Sequence, residues 1–193
     1  QAASILVVTH VKPDGDAIGS LLGLTLALRK QGKQVDAAVD GGVPDYLRYL
    51  SQSETVATEL QSGQWELMIA VDASDVERTG TVGSYGLAHS ATVMNLDHHP
   101  TNTRFGDIHL IVPEAVSATE IIYDWLLKMS MPPSPPVATA LLTGLITDTM
   151  GFRTSNVNSR TLQVAHELTL AGAPLLDIIN RTLVTKSFSH ILL

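Results

Sequence analysis

The feature that most constrains this chain is a set of short apolar runs, each ending in an aspartate or histidine and several followed by a helical pattern. Ile5-Leu6-Val7-Val8-Thr9 is continuous and β-branched, as a strand buried on both faces must be, and it leads into His10 and Asp14-Gly15-Asp16. Leu67-Met68-Ile69-Ala70-Val71 leads into Asp72, and Thr92-Val93-Met94-Asn95-Leu96 into Asp97-His98-His99. Val35 to Val39 reads as another strand and Ile108 to Val112 as a short one. Helical spacing predicts helices over Ala17 to Lys30, Ser117 to Lys128, Val137 to Ile146, Ser159 to Leu170 and Leu175 to Leu183. Strands alternating with helices specify an α/β fold: a doubly wound, mostly parallel sheet with helices on both faces. In such sheets ligands bind beyond the carboxyl ends of the strands, so the three acidic and histidine clusters are expected to meet at one sheet edge.

Composition narrows the chemistry. The chain has 193 residues, 45% of them hydrophobic, enough for one sizeable core and too apolar for disorder. Polar residues interrupt every apolar run before about 18 residues, so no membrane span is expected. The absence of cysteine removes disulfides, zinc–thiolate sites and thiol nucleophiles. A formal charge of −7 disfavours gripping duplex DNA, which takes a basic face, and leaves a small phosphorylated ligand open. No signal peptide is visible at Gln1-Ala2-Ala3-Ser4, so a cytoplasmic location is expected.

The first cluster has its own local logic. Pro13 is expected to hold Lys12 extended, Gly15 to adopt a conformation other residues avoid, and Asp14 and Asp16 to point to one side just before the helix at Ala17. Taken singly, each element has a plain reading: Pro-Asp-Gly-Asp as a turn and N-cap, Asp72 as the start of a loop, the paired histidines as a surface accident, Asp148 as a helix end. Their joint placement at successive strand ends is what points to a metal centre. Several carboxylates and imidazoles in one cleft repel unless cations are bound. Mixed nitrogen and oxygen donors suit Mn, Fe, Co or Zn better than Ca or Mg, and six or seven donors suit two ions sharing a carboxylate.

These residues resemble the DHH phosphoesterases. The run His10 to Ser20 is similar to the first motif of that family, Asp72 with its strand to the second, Asn95-Leu96-Asp97-His98-His99-Pro100 to the motif that names it, and Gly144 to Arg153 to the fourth. Ser117-Ala118-Thr119-Glu120 is similar to a segment of the branch that acts on nucleotides. The resemblance implies two divalent ions, Mn first, with Mg, Co, Fe and Zn as alternatives. His10, Asp14 and Asp72 would hold one, and Asp16, Asp72, His98 and Asp148 the other, with Asp72 bridging. A water activated by both ions would attack phosphorus.

On the same resemblance, His99 would face the substrate phosphate or protonate the leaving oxygen, and Asp97 would orient a histidine. Arg153 could fork onto a phosphate, although a solvated loop arginine explains it equally; the same holds for Asn102 and Arg104 as pocket residues. His89, His109, His166 and His190 match no motif. Residues 1–185 are expected to form the catalytic domain. Residues 186–193 would begin a linker to a C-terminal substrate-binding domain, since the family's Gly-rich, His-containing second-domain segment is missing and Ser189-His190-Ile191-Leu192-Leu193 is an apolar ending.

The implied activity is hydrolysis of very short single-stranded RNA to 5′-mononucleotides, removal of the 3′-phosphate of 3′-phosphoadenosine 5′-phosphate, or both. A homodimer is compatible with it. The rivals are a cyclic dinucleotide phosphodiesterase, a manganese-dependent inorganic pyrophosphatase and, outside enzymes, a nucleotide-sensing module.

Overall fold

The computed structural model describes residues 2–184. The linker expected at 186–193 and His190 lie outside the described residues. Five strands, β1 (Ser4–Val8), β2 (Gln34–Ala38), β3 (Leu67–Val71), β4 (Val93–Asp97) and β5 (Ile108–Ile111), form one sheet in the order β2-β1-β3-β4-β5. Every neighbouring pair is parallel. The helices are α1 (Gly15–Lys30), α2 (Gly80–His89), α3 (Ala118–Lys128), α4 (Pro135–Asp148), α5 (Ser159–Leu170) and α6 (Leu175–Ile179), the last running into a π-helical stretch, Asn180–Val184. Among the described residues no helix is long and apolar enough to cross a membrane.

The continuous apolar runs reflect burial on both sheet faces. Along β1, Ile5 and Val7 enter a large core with α1, α3, α4 and α5, while Leu6 and Val8 enter a smaller one with Trp65, Met68 and Val82 of α2. The large side is closed by α1 against α4, so close that a Cβ on Gly19 would stand 2.5 Å from the Ala140 carbonyl oxygen. This contact carries Asp148, at the last turn of α4, to the strand ends from far along the chain.

Several expectations shift. The first helix starts at Gly15, not Ala17, because Asp14 is its N-cap, accepting from the Asp16 and Ala17 amides at 3.0 and 3.1 Å. Gly15 is therefore helical and does not take a left-handed conformation. Lys12 does, with φ 54°, and is not extended. That tight turn is braced by the Val11 amide bonding to the Arg78 carbonyl at 2.7 Å, which holds the loop against the next strand's loop. The helix α2 escaped the pattern reading because three glycines among its ten residues, Gly80, Gly83 and Gly86, weaken both propensity and periodicity. The Pro-rich stretch Pro132 to Pro136 is a loop that places Pro135 and Pro136 in the first turn of α4, where a missing amide proton costs nothing.

Candidate metal centre

The carboxyl ends of β1, β3 and β4 bring the clusters together. Three groups of potential ligand atoms each lie within 4.8 Å of one another: His10, Asp14 and Asp72; Asp16, His98 and Asp148; and Asp72, Asp97, His98 and His99. Asp72 and His98 each belong to two of them, so the groups form one continuous cluster. Arg153 is exposed and its Nε donates to the Met150 carbonyl at 2.7 Å; no described contact joins it to the cluster. His89 stacks on Tyr85, His109 bonds to Gly106 on the edge strand and His166 is exposed on α5, all outside the cluster.

Asp72 follows β3 directly, with φ 53°, a conformation that costs a non-glycine residue of order 1 kcal/mol and turns the side chain back over the sheet end. The surroundings hold it there. Its amide bonds to the Leu96 carbonyl at 2.9 Å, and the next carbonyl, of Ala73, accepts from Asn95 at 3.0 Å and Asn102 at 3.2 Å. The β4 strand and the loop after it thus pin the turn that presents Asp72.

Distances inside the cluster do not make a hydrogen-bond network. His10 Nε2 lies 3.5 Å from Asp72 Oδ2, and His98 Nε2 lies 3.6 Å from Asp72 Oδ1, 3.6 Å from Asp148 Oδ2 and 3.9 Å from Asp16 Oδ2. These separations exceed hydrogen-bond length. They approach the ~3.0–3.5 Å between neighbouring donors that bind one cation at about 2.1 Å. Asp72 Oδ1 is buried with no hydrogen-bond partner, a state that is costly without an external positive charge.

Electrostatics agree with the geometry. Burial, followed by the charges of Asp16 and Asp14, pushes the Asp72 carboxyl well above the ordinary carboxylate range. Burial also raises Asp16, and burial with Asp16 and Asp14 raises Asp148 to about 7. Carboxyls crowded together out of water favour the neutral form until a cation replaces the protons. The donor set therefore fits divalent metal.

One pair behaves differently. Asp97 is fully buried, which raises its carboxyl, but bonds from His99 Nδ1 at 2.8 Å and Asn102 Nδ2 at 2.7 Å outweigh this and leave it below the ordinary range. The same bond to Asp97 raises His99, while Arg78 lowers it slightly. An ionised Asp97 fixes the proton on Nδ1 and leaves Nε2 free. Asn102, read from sequence as an equal choice between pocket and plain loop, here holds Asp97 and the Asp72 turn together. Arg78 and Thr119 were missed as individual residues near the cluster. Arg78 had no motif around it; Thr119 lay in the quoted Ser117–Glu120 segment, whose hydrogen bonds to Asp16 only the fold reveals.

The fold and this cluster define a doubly wound α/β domain with an edge of carboxylates and imidazoles that could hold metal. Residues 4–145 match the model for the DHH family, N-terminal domain, and the chain belongs to that family. Among curated relatives, the bifunctional oligoribonuclease and PAP phosphatase NrnA of Thermus thermophilus is 34% identical over 178 residues, 92% of this chain and 53% of that protein. The probable bifunctional oligoribonuclease and PAP phosphatase NrnA of Streptococcus mutans is 30% identical over 165 residues, 86% of this chain and 52% of that protein. Among solved structures, an exopolyphosphatase-related protein from Bacteroides fragilis matches with a TM-score of 0.87 at 27% identity, covering 94% of this chain and 56% of that one. The chain spans about half the length of the curated relatives it matches.

Proposed function

We propose that this chain is the catalytic domain of a two-metal phosphoesterase, residues 1–185, that hydrolyses very short RNA to 5′-mononucleotides, removes the 3′-phosphate of 3′-phosphoadenosine 5′-phosphate, or does both. The observation that carries this reading is the Asp72 carboxylate, buried, unpartnered at Oδ1 and shared by two groups of metal-ligating side chains. The names of the relatives support the substrate class.

In this reading His10, Asp14 and Asp72 hold one ion, and Asp16, Asp72, His98 and Asp148 the other, with Mn best suited to the mixed donors. Bound divalent cations supply a water of lowered pKa and neutralise charge on the phosphoryl oxygens. The protein's own part is to aim and to move a proton. Asp97, held by Asn102, locks His99 with its Nδ1 proton inward, so that Nε2 faces the substrate and protonates the leaving oxygen. The hydrogen bond to Asp97 raises His99 above its ordinary value, the direction a proton donor needs. Arg78, whose charge reaches His99, and the two terminal nitrogens of Arg153 are the proposed phosphate contacts.

The test is manganese-dependent release of mononucleotide from a 5′-phosphorylated diadenylate, with 3′-phosphoadenosine 5′-phosphate, a cyclic dinucleotide and pyrophosphate in parallel. The full-length Thermus thermophilus relative serves as the comparison enzyme. Mononucleotide or adenosine monophosphate formation supports the reading. Consumption of only pyrophosphate or only the cyclic substrate would replace it, and metal-independent ligand binding without turnover would make the domain a sensor.

A further inference from the structure

Asp16 is almost wholly enclosed, 1% exposed, and its partners come from an element more than a hundred residues away. Its Oδ1 accepts from the Thr119 hydroxyl at 2.8 Å and the Thr119 amide at 3.1 Å, and Oδ2 accepts from the Ala118 amide at 2.7 Å. A carboxylate oxygen has two lone-pair positions. Oδ1 is therefore filled, while Oδ2 keeps one position, on the atom that lies 3.9 Å from His98 Nε2.

The hydroxyl chain behind it has only one consistent direction when Asp16 is ionised. A carboxylate can only accept, so the Thr119 hydroxyl donates to it. The Thr119 oxygen, 2.8 Å from Ser117 Oγ, must then accept from Ser117. Ser117 Oγ in turn accepts from the Glu120 amide at 3.1 Å. Amide, serine, threonine and carboxylate thus form a polarised relay at the start of α3. On the other side Gly144 leaves room for the carboxylate, since a Cβ there would stand 2.6 Å from Asp16 Oδ1.

We propose that Thr119 is a positioning residue of the metal centre: its hydroxyl, oriented by Ser117, occupies Asp16 Oδ1 so that Oδ2 is turned toward His98 and Asp148 to bind the cation they share. This rests on the reading of Asp16 as a metal ligand. Mere satisfaction of a buried charge does not require donors distributed two to one between the oxygens. Aiming one oxygen does, and partners of this kind commonly change metal affinity by 10- to 100-fold.

The test is Mn binding to metal-stripped protein, by calorimetry and by the electron paramagnetic resonance signal of free Mn, alongside the melting temperature of the same samples. Thr119→Val keeps the shape and both amides and removes only the hydroxyl; Ser117, the N-cap of α3, is left intact. We expect Thr119→Val to weaken Mn binding about tenfold or more, and Thr119→Ser, which restores the donor, to recover it to within about threefold. Parent-like affinity in folded Thr119→Val overturns the proposal, as does Thr119→Ser binding as weakly as Thr119→Val, which would assign the effect to the methyl group. If Thr119→Val does not fold, Thr119→Ala, which also lacks the hydroxyl, takes its place: weakened Mn binding that Thr119→Ser recovers supports the proposal, and parent-like affinity overturns it. Asp16→Asn separates the two levels. Unchanged Mn binding in that variant removes Asp16 from the ligand set and this inference with it. Lost binding there with unchanged binding in Thr119→Val removes the inference alone.

Discussion

Val39-Asp40 and Val71-Asp72 are the same dipeptide at the carboxyl ends of β2 and β3, the two strands that flank β1, yet the two aspartates meet opposite fates. Asp40 reaches the start of α2 and accepts from the Thr81 amide at 2.7 Å, the Thr81 hydroxyl at 2.9 Å and the Val82 amide at 2.9 Å. Burial raises its carboxyl somewhat, but those three donors prevail and it lies below the ordinary range. Asp72 is raised, first by burial and then by its acidic neighbours, and one of its oxygens has no partner at all. A carboxylate that completes a helix end stabilises the fold by itself. One left unsatisfied in a dry, acidic pocket destabilises it until a cation arrives, and so marks where function resides.

The sharpest way to break this contrast is to remove each carboxylate. Asp72→Asn is expected to abolish metal-dependent turnover, by roughly a thousandfold or more, because one change removes a ligand from two groups. It should also raise the melting temperature of metal-free protein, measured by calorimetry in chelator. A metal-free variant less stable than its parent would show that Asp72 is not an uncompensated charge.

His99→Gln tests the other half of the site. Turnover should fall by about 10²–10⁴, the usual range for a positioned general acid, with Mn affinity close to the parent's. If Mn binding collapses instead, His99 is a ligand and not the proton donor.

Asp40→Ala is expected to act in the reverse sense to Asp72→Asn. Loss of this cap should cost about 1–2 kcal/mol, or ~2–8 °C in Tm for a chain of this length, with Mn affinity unchanged. A change in Mn affinity would mean that the carboxyl ends of β2 and β3 are coupled across β1.

The smallest effect is on pH dependence. In metal-free protein Asp148 holds its proton up to about 7, whereas the ordinary value is 3.8. The folded state then binds more protons than the unfolded state between those values. Its contribution to stability is complete below about 4 and is lost as pH rises toward 7. Asp16 and Asp72 are raised as well, and His99 acts in the same direction. Urea midpoints in chelator should therefore fall from pH 5 to pH 8, and saturating Mn should flatten or reverse the slope. A chelator-treated protein that gains stability over that range would contradict the raised carboxyls.

Much of the molecule was legible before any coordinates. The five strands lie within a residue of where their apolar runs placed them, because a strand buried on both faces has few ways to disguise itself. The residues after β1, β3 and β4 could be named because strand ends in a parallel sheet share one edge, whereas Asp148, at the end of α4, was reached only through the family resemblance. What stayed hidden was the helix α2, whose glycines carry no pattern, the left-handed turns at Lys12 and Asp72, and the start of α1 at Gly15; the N-cap reading of Pro-Asp-Gly-Asp holds, with Asp14 as the cap.

The amino-acid order by itself determined the class of fold, the edge where ligands bind and the residue types gathered there, since periodicity and composition are local quantities. Only the tertiary structure decided which aspartate is satisfied and which is left waiting. It set Asp40 against the start of α2, Asp16 against Thr119, and left Asp72 Oδ1 without a hydrogen bond. The physical reason is that a carboxylate's charge state and orientation depend on donors and dielectric within a few ångströms, and in a folded chain those come from residues tens to a hundred positions away.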